Sequence, residues 1–208
     1  MSTYSARPGS AAVGVSAQGV LAAVAGAAGL AAAMTVLYRT MAAIMETEGG
    51  FVALGGPYDI AHPAPDWAWL VPVAILSLFA FGGLSLWASM RGWGLNPIAY
   101  AWSALFLSLG WNFLRLGLID PPEGQNAAWG WIASGVAFWV MALVPALGPI
   151  RRRMAVARYG PDALTAGVRT GPFGLPVRDT SPIFIVVQAA GAALGVAGGL
   201  ALFSTIAA

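Results

Sequence analysis

The sequence predicts an all-α integral membrane protein, a bundle of five transmembrane helices, and three observations support this fold class. Hydrophobic residues make up 59% of the 208-residue chain and charged residues only 9%, whereas charged residues are about 25% of a soluble domain. Five apolar stretches reach the ~20 residues that a helix needs to cross a bilayer. Arginines and carboxylates alternate between the segments that join these stretches. We therefore expect residues 1–208 to form a single membrane domain.

The five spans should be helices because every backbone polar group in lipid must be satisfied within its own segment. The first span, about 16–45, is rich in Ala and Gly. It is longer than the ~7–15 apolar residues of a signal peptide, so we expect an uncleaved helix. The second and fourth spans, about 67–90 and 127–150, each open on two Trp residues. The third covers about 97–119 and the fifth about 182–206.

The charges between the spans predict the orientation. One side holds eight arginines against two aspartates, while the loops of the other side hold six carboxylates and no arginine. Cytoplasmic loops carry an excess of Lys and Arg, so we expect the N-terminus in the cytoplasm and the C-terminus outside. An odd number of spans likewise places the two termini on opposite sides of the membrane. Heavy use of Ala and Arg without Lys is typical of a GC-rich bacterial genome and favours a bacterial cytoplasmic membrane.

Two loops differ in character. The inner loop, 151–181, is basic, and its first arginines are expected to lie against anionic lipid headgroups, at about 1 kcal/mol each. These are Arg151, Arg152, Arg153 and Arg158. Docking to a cytoplasmic partner is the alternative role for this loop. The outer loop, 46–66, contains Gly and Pro turn signals and is expected to form an ordered cap over the bundle.

Small residues predict close helix packing in the first and fifth spans. Gly191, Gly195 and Gly199 have Gly-xxx-Gly spacing, which places them on one helix face where a partner backbone can approach closely. Gly19 and Gly26 lie on similar faces of the first span. These two spans are expected to pack on each other or to reserve one face for another subunit.

Tryptophans predict the aromatic belts, since eight of the nine lie in spans two to four. Trp102 and Trp139 are nearer the middle of their spans. We expect them to fill the bundle core; the alternative is stacking on a bound lipid, quinone or carotenoid. No other cofactor is predicted, because a chain without Lys or Cys forms neither a Schiff base nor a thiolate metal centre.

Polar residues inside the spans predict a pocket, because such residues are rare in lipid and often functional. Arg39 and Arg115 lie near the outer ends of the first and third spans, where each can snorkel or pair with an outer carboxylate. Asn112 shares a helix face with Arg115, one turn deeper. Asn112, Arg115 and Arg39 are thus the candidate polar pocket. Gln188 is expected to make a hydrogen bond between helices.

A weaker candidate site lies in the outer loop. Asp59, His62 and Asp66 are close in sequence, and a carboxylate beside a histidine can orient a general base or help to bind a divalent ion. No nucleophile motif accompanies them. Neither a catalytic site nor a metal site is therefore the leading prediction.

The leading functional prediction is a non-catalytic accessory or scaffolding subunit that packs against other helices in a larger membrane complex. No Asp or Glu lies inside a span, whereas proton-coupled transport usually needs such a group near the midplane. One alternative is a channel or facilitator for a small neutral solute passing Asn112 and Trp102. Another is an outer-face enzyme or metal site. Membrane lipids and other membrane subunits are the expected partners. Nucleic acid is not, because no basic face with stacking aromatics lies outside the spans.

Overall fold

The protein is all-helical in the parts of the chain that its structure, a computed structural model, describes: residues 15–47, 65–121, 126–147, 157 and 180–207. No strand occurs within these ranges. The helices are α1 (Ala17–Thr47), α2 (Leu70–Met90), α3 (Pro97–Leu114), α4 (Trp129–Ala142) and α5 (Pro182–Ile206). Four of them, α1, α2, α3 and α5, are long and apolar enough to cross a membrane, and α4 is a shorter apolar helix. The predicted all-α class is confirmed.

Within the predicted fourth span, 127–150, the regular helix α4 ends at Ala142. Proline has no backbone N–H, and its ring clashes with the carbonyl four residues earlier. Pro145 therefore leaves the carbonyl of Met141 without its usual donor. The chain tightens instead into a single 3₁₀ turn, Val144–Ala146. Residues 148–150 of the predicted span lie outside the described residues.

The third span covers the predicted length but is not one regular helix. α3 ends at Leu114 and continues as a π-helical turn, Arg115–Ile119, which the N–H of Asp120 closes by donating to the carbonyl of Arg115 at 2.9 Å. The carbonyl of Gly117 in this turn accepts a hydrogen bond from the N–H of Ala128 at 3.0 Å. This bond ties the end of α3 to the start of α4.

The fifth span matches its predicted bounds, 182–206, and the first and second spans differ from theirs by one to three residues. α1 continues to Thr47, which is two residues into the predicted outer loop. A 3₁₀ turn, Asp66–Trp69, precedes α2 and includes the two Trp residues that open the second predicted span.

Helix α1 is the centre of the bundle: it packs along α5 and α2, while α3 pairs with α4. α1 and α5 run in the same direction, since Gly191 lies beside Val24 and Gly199 beside Ala32. α2 runs the opposite way.

Helix α3 runs parallel to α1 and antiparallel to α4. Gly110 lies beside Trp139, and Gly117 beside Ile132. α3 and α5 hardly touch each other, so the surface of α1 between them is left uncovered by other helices of the described chain.

These directions give the bundle two chemically different ends. The acidic end carries Glu46, Asp66 and Asp120, and the Arg91 end carries Arg91 and Trp93. The first and last described residues, 15 and 207, lie at opposite ends. A buried apolar cluster joins α1, α2 and α5 towards the acidic end: Val36, Leu37, Leu70, Ala74 and Phe203.

Candidate functional site

Arg115 is the centre of an ion-pair cluster at the acidic end of the bundle. Its Nη2 lies 2.5 Å from Glu46 Oε1, and its Nε lies 3.0 Å from Asp120 Oδ2. The side chain of Arg115 is about one-third exposed. The π-helical turn that begins at Arg115 brings Asp120 back to the guanidinium. The cluster therefore neutralises Arg115 and fastens the end of α3 to the end of α1.

Asn112 holds the same two helices together one turn deeper. It is 2% exposed, and its Nδ2 donates a hydrogen bond to the carbonyl of Tyr38 on α1 at 3.2 Å. Asn112 and Arg115 thus both face α1, as residues on one helix face must. They make helix contacts, and neither lines the open groove described below.

Arg39 lies apart from these two residues. Its Cζ is 5.4 Å from the centroid of the Phe203 ring on α5, within the range of a cation–π contact. The ring of Phe203 in turn meets Trp67 edge-on at 5.9 Å. No carboxylate forms an ion pair with Arg39 among the residues that the structure describes. Of the three residues in the predicted pocket, Arg39 alone lines the groove.

This α1–α3–α5 groove is an apolar cleft of about 750 Å³ between the three helices. Its walls are dominated by small and aliphatic side chains, including Ala27, Ala31, Ala104, Ala189, Ala192 and Val196. Arg39 and Leu200 lie at its acidic end, and Gln188 and Leu95 lie towards the Arg91 end. Sequence reasoning missed the groove. The signal that could have indicated it is the alanines that α1, α3 and α5 share at helical spacing.

Gln188 fixes the turn between α2 and α3 to α5. Its Oε1 accepts a hydrogen bond from the N–H of Leu95 at 2.8 Å, so the bond reaches the residues before α3 rather than a helix. Its Nε2 is buried and has no hydrogen-bond partner among the described residues. Gly94 has φ +152° and lies so close to Gln188 that a Cβ would collide with the amide. This position accordingly requires glycine.

The glycines of α5 lie against the backbone of α1. Gly191, Gly195 and Gly199 are buried, and a Cβ on each would meet the backbone of α1, at Val24, Ala28 and Ala32 respectively. On α1 itself, Gly26 faces Ser85 of α2, and Gly19 faces Trp93 and Phe184. The glycine face of α5 is thus occupied by α1 of the same chain.

The two mid-span tryptophans donate hydrogen bonds between α3 and α4. Trp102 Nε1 donates to the carbonyl of Met141 at 2.8 Å, and Trp139 Nε1 donates to the carbonyl of Leu107 at 3.2 Å. The indole N–H of Trp102 thus replaces the backbone N–H that Pro145 lacks as the donor to the carbonyl of Met141. A series of ring contacts links the same two helices: Trp102 with Phe106, Phe106 with Phe138, Phe138 with Phe113, and Phe113 with Trp131. Stacking on a lipid, quinone or carotenoid stays a prediction.

Several predicted site residues lie outside the described residues. They are Asp59, His62, Arg151, Arg152, Arg153 and Arg158. Asp66 is described and begins the 3₁₀ turn before α2. Within the described ranges, no group of three His, Asp or Glu side chains could hold a metal ion.

Comparison with known proteins gives no relative: the chain matches no protein-family model, no curated protein and no solved structure. Its function is therefore inferred from its own geometry.

Proposed function

We propose that this chain is a non-catalytic subunit that packs against other transmembrane helices in a larger membrane complex, as an accessory or scaffolding component. The observation that carries the proposal is a second small-residue face on α5, opposite to the glycine face that contacts α1. Ala193, Ala197 and Ala201 are spaced four residues apart on this outer face and are exposed.

An exposed small-residue face is suited to helix association because lipid tails provide no hydrophobic drive between helices. Association in lipid depends instead on close backbone approach and van der Waals packing, which small side chains permit. We name Ala193, Ala197 and Ala201 the outer face of α5. We expect a helix of another subunit to pack there.

The polar residues also support a structural role, because each of them makes a contact within the chain. Asn112 contacts Tyr38, Arg115 pairs with Glu46 and Asp120, and Gln188 accepts from Leu95. These side chains stabilise helix contacts and are not arranged as an acid–base or nucleophilic centre. The channel alternative depended on Asn112 and Trp102 lining a path, but both donate hydrogen bonds to backbone carbonyls. It stays an untested alternative, as does the outer-loop enzyme or metal site.

For the orientation, we propose a cytoplasmic N-terminus and an external C-terminus in a bacterial cytoplasmic membrane. The opposite ends of residues 15 and 207 support an odd number of crossings, and the carboxylates of the acidic end suit the external side. Reporter fusions at the two termini test this: one cytoplasmic and one external signal are expected. Two signals from the same side would contradict it.

The experiment that tests the subunit role is isolation in a mild detergent followed by mass spectrometry of the proteins that stay attached. We expect a defined set of membrane proteins with the unchanged chain and their loss with Ala197→Leu. Leu76→Phe is the matched control, because Leu76 is exposed on α2, away from the outer face of α5. Retention of the same proteins by Ala197→Leu, or recovery of the chain alone, would contradict the proposal.

A further inference from the structure

We propose that the α1–α3–α5 groove is a binding site for one anionic phospholipid, with the headgroup phosphate at Arg39 and the acyl chains between the three helices. The groove lies on a different side of α5 from the outer face, so this site and the subunit role are tested independently.

The position of Arg39 along α1 places it near the lipid headgroups. Arg39 lies seven residues from the middle of the 31-residue helix α1, which is about 10 Å at 1.5 Å per residue. The hydrocarbon core extends about 15 Å from its midplane. An arginine side chain at this depth reaches the headgroup region by snorkelling. The guanidinium is thus placed at the level of a lipid phosphate.

Arg39 gives the end of the groove a positive charge that is complementary to an anionic headgroup. Among the described residues there are two ion pairs, and both are made by Arg115. Arg39 instead contacts the face of the Phe203 ring. This contact positions the guanidinium but does not neutralise its positive charge. A phosphate oxygen accepts the charged hydrogen bonds that a guanidinium donates. The rest of the lining is largely aliphatic, as the chains of a phospholipid require, and its polar members are Thr35, Tyr38, Tyr100, Ser108 and Gln188.

The length of the groove suits acyl chains. It has a volume of about 750 Å³ and extends from Ala27 to Arg39 along α1, which is about 18 Å. One leaflet of the hydrocarbon core is about 15 Å thick. Acyl chains that continue from a phosphate at Arg39 can therefore lie along the groove.

Native mass spectrometry of the delipidated full chain, titrated with phosphatidylglycerol or with phosphatidylcholine of the same acyl chains, tests the site. We expect one phosphatidylglycerol to bind about five- to tenfold more tightly than phosphatidylcholine. Arg39→Gln should abolish this difference, and Arg39→Lys should keep most of it. Arg91→Gln is the matched control because it removes the same charge at the other end, where Arg91 lies 4.0 Å above the Trp87 ring.

A second pair of variants tests the position of the acyl chains. Ala104 lines the groove, so Ala104→Phe should weaken binding of both lipids about tenfold or more. Leu107 is exposed on the same helix outside the groove, so Leu107→Phe should leave both affinities within about twofold of the unchanged chain.

Three results would overturn the proposal. The first is equal affinity for the two lipids in the unchanged chain. The second is an unaltered preference for phosphatidylglycerol in Arg39→Gln. Arg39→Lys shows in the same experiment whether a substitution at this position still allows the protein to fold. The third is a second polypeptide, including another copy of this chain, bound in place of lipid and released by Ala104→Phe.

Discussion

Arg115 at the end of α3 is joined to Glu46 at the end of α1 by an ion pair, with Nη2 2.5 Å from Oε1. Sixty-nine residues separate the two in the chain. With the Asn112–Tyr38 hydrogen bond, this pair links the α3–α4 unit to the α1–α2–α5 unit at the acidic end. The α1–α3–α5 groove runs from there towards the Arg91 end.

A double-mutant cycle measures the strength of this link. The side chains of Arg115 and Glu46 are 35% and 48% exposed, and ion pairs this exposed contribute about 0.2–1 kcal/mol. We expect Arg115→Gln and Glu46→Gln each to lower the melting temperature in detergent by about 1–4 °C, and the double variant to lose less than the sum. The coupling should shrink in about 1 M salt because the pair is solvent-screened. Strictly additive losses would show that the pair contributes nothing.

Two neighbouring glycines of α5 should respond oppositely to the same substitution. A Cβ at Gly195 would meet the backbone of Ala28, and we expect Gly195→Ala to destabilise the fold by about 1–3 kcal/mol, as overpacking does. At Gly198 nothing lies within 4 Å, so Gly198→Ala should be neutral or stabilising by up to about 1 kcal/mol, because Ala favours helix over Gly. Thermal unfolding of the isolated chain measures both. Equal effects at the two positions would refute the packing of α5 on α1.

Trp102 and Pro145 should be energetically coupled through the carbonyl of Met141. Trp102→Phe removes the indole N–H that this carbonyl accepts, at an expected cost of about 1 kcal/mol. Pro145→Ala restores a backbone N–H four residues after Met141. We therefore expect Trp102→Phe to cost less when Pro145 is already Ala. The free energies of unfolding of the two single variants and the double variant test this; the same cost in both backgrounds would mean that the hydrogen bond is not what Trp102 contributes.

Gly94 should tolerate no side chain. Its φ of +152° favours glycine, and a Cβ would collide with the Gln188 amide. We expect Gly94→Ala to destabilise the protein by about 1–3 kcal/mol. Gly83→Ala is the matched control, because a Cβ on Gly83 of α2 would meet nothing within 4 Å. Similar melting temperatures for the two variants would contradict the close approach of α5 to this turn.

The helices could be predicted from the sequence because apolar length alone specifies a membrane span. Pro145 indicates in the sequence where α4 ends, but hydropathy extends the predicted span to residue 150 because hydropathy does not register a missing N–H. The Arg115–Asp120 pair is a contact over five residues and could be anticipated. The Arg115–Glu46 pair and the groove could not, because each depends on how far α3 stands from α1 and α5. No local pattern encodes that separation.

In the proposed role, the outer face of α5 contacts another subunit. A photoreactive amino acid placed at Ala197 and irradiated in native membranes tests it most directly, with the same residue placed at Leu76 as the control. We predict one discrete adduct of this chain with a different polypeptide from position 197 and none from position 76. Adducts with lipid alone from both positions, or an adduct between two copies of this chain, would contradict the account.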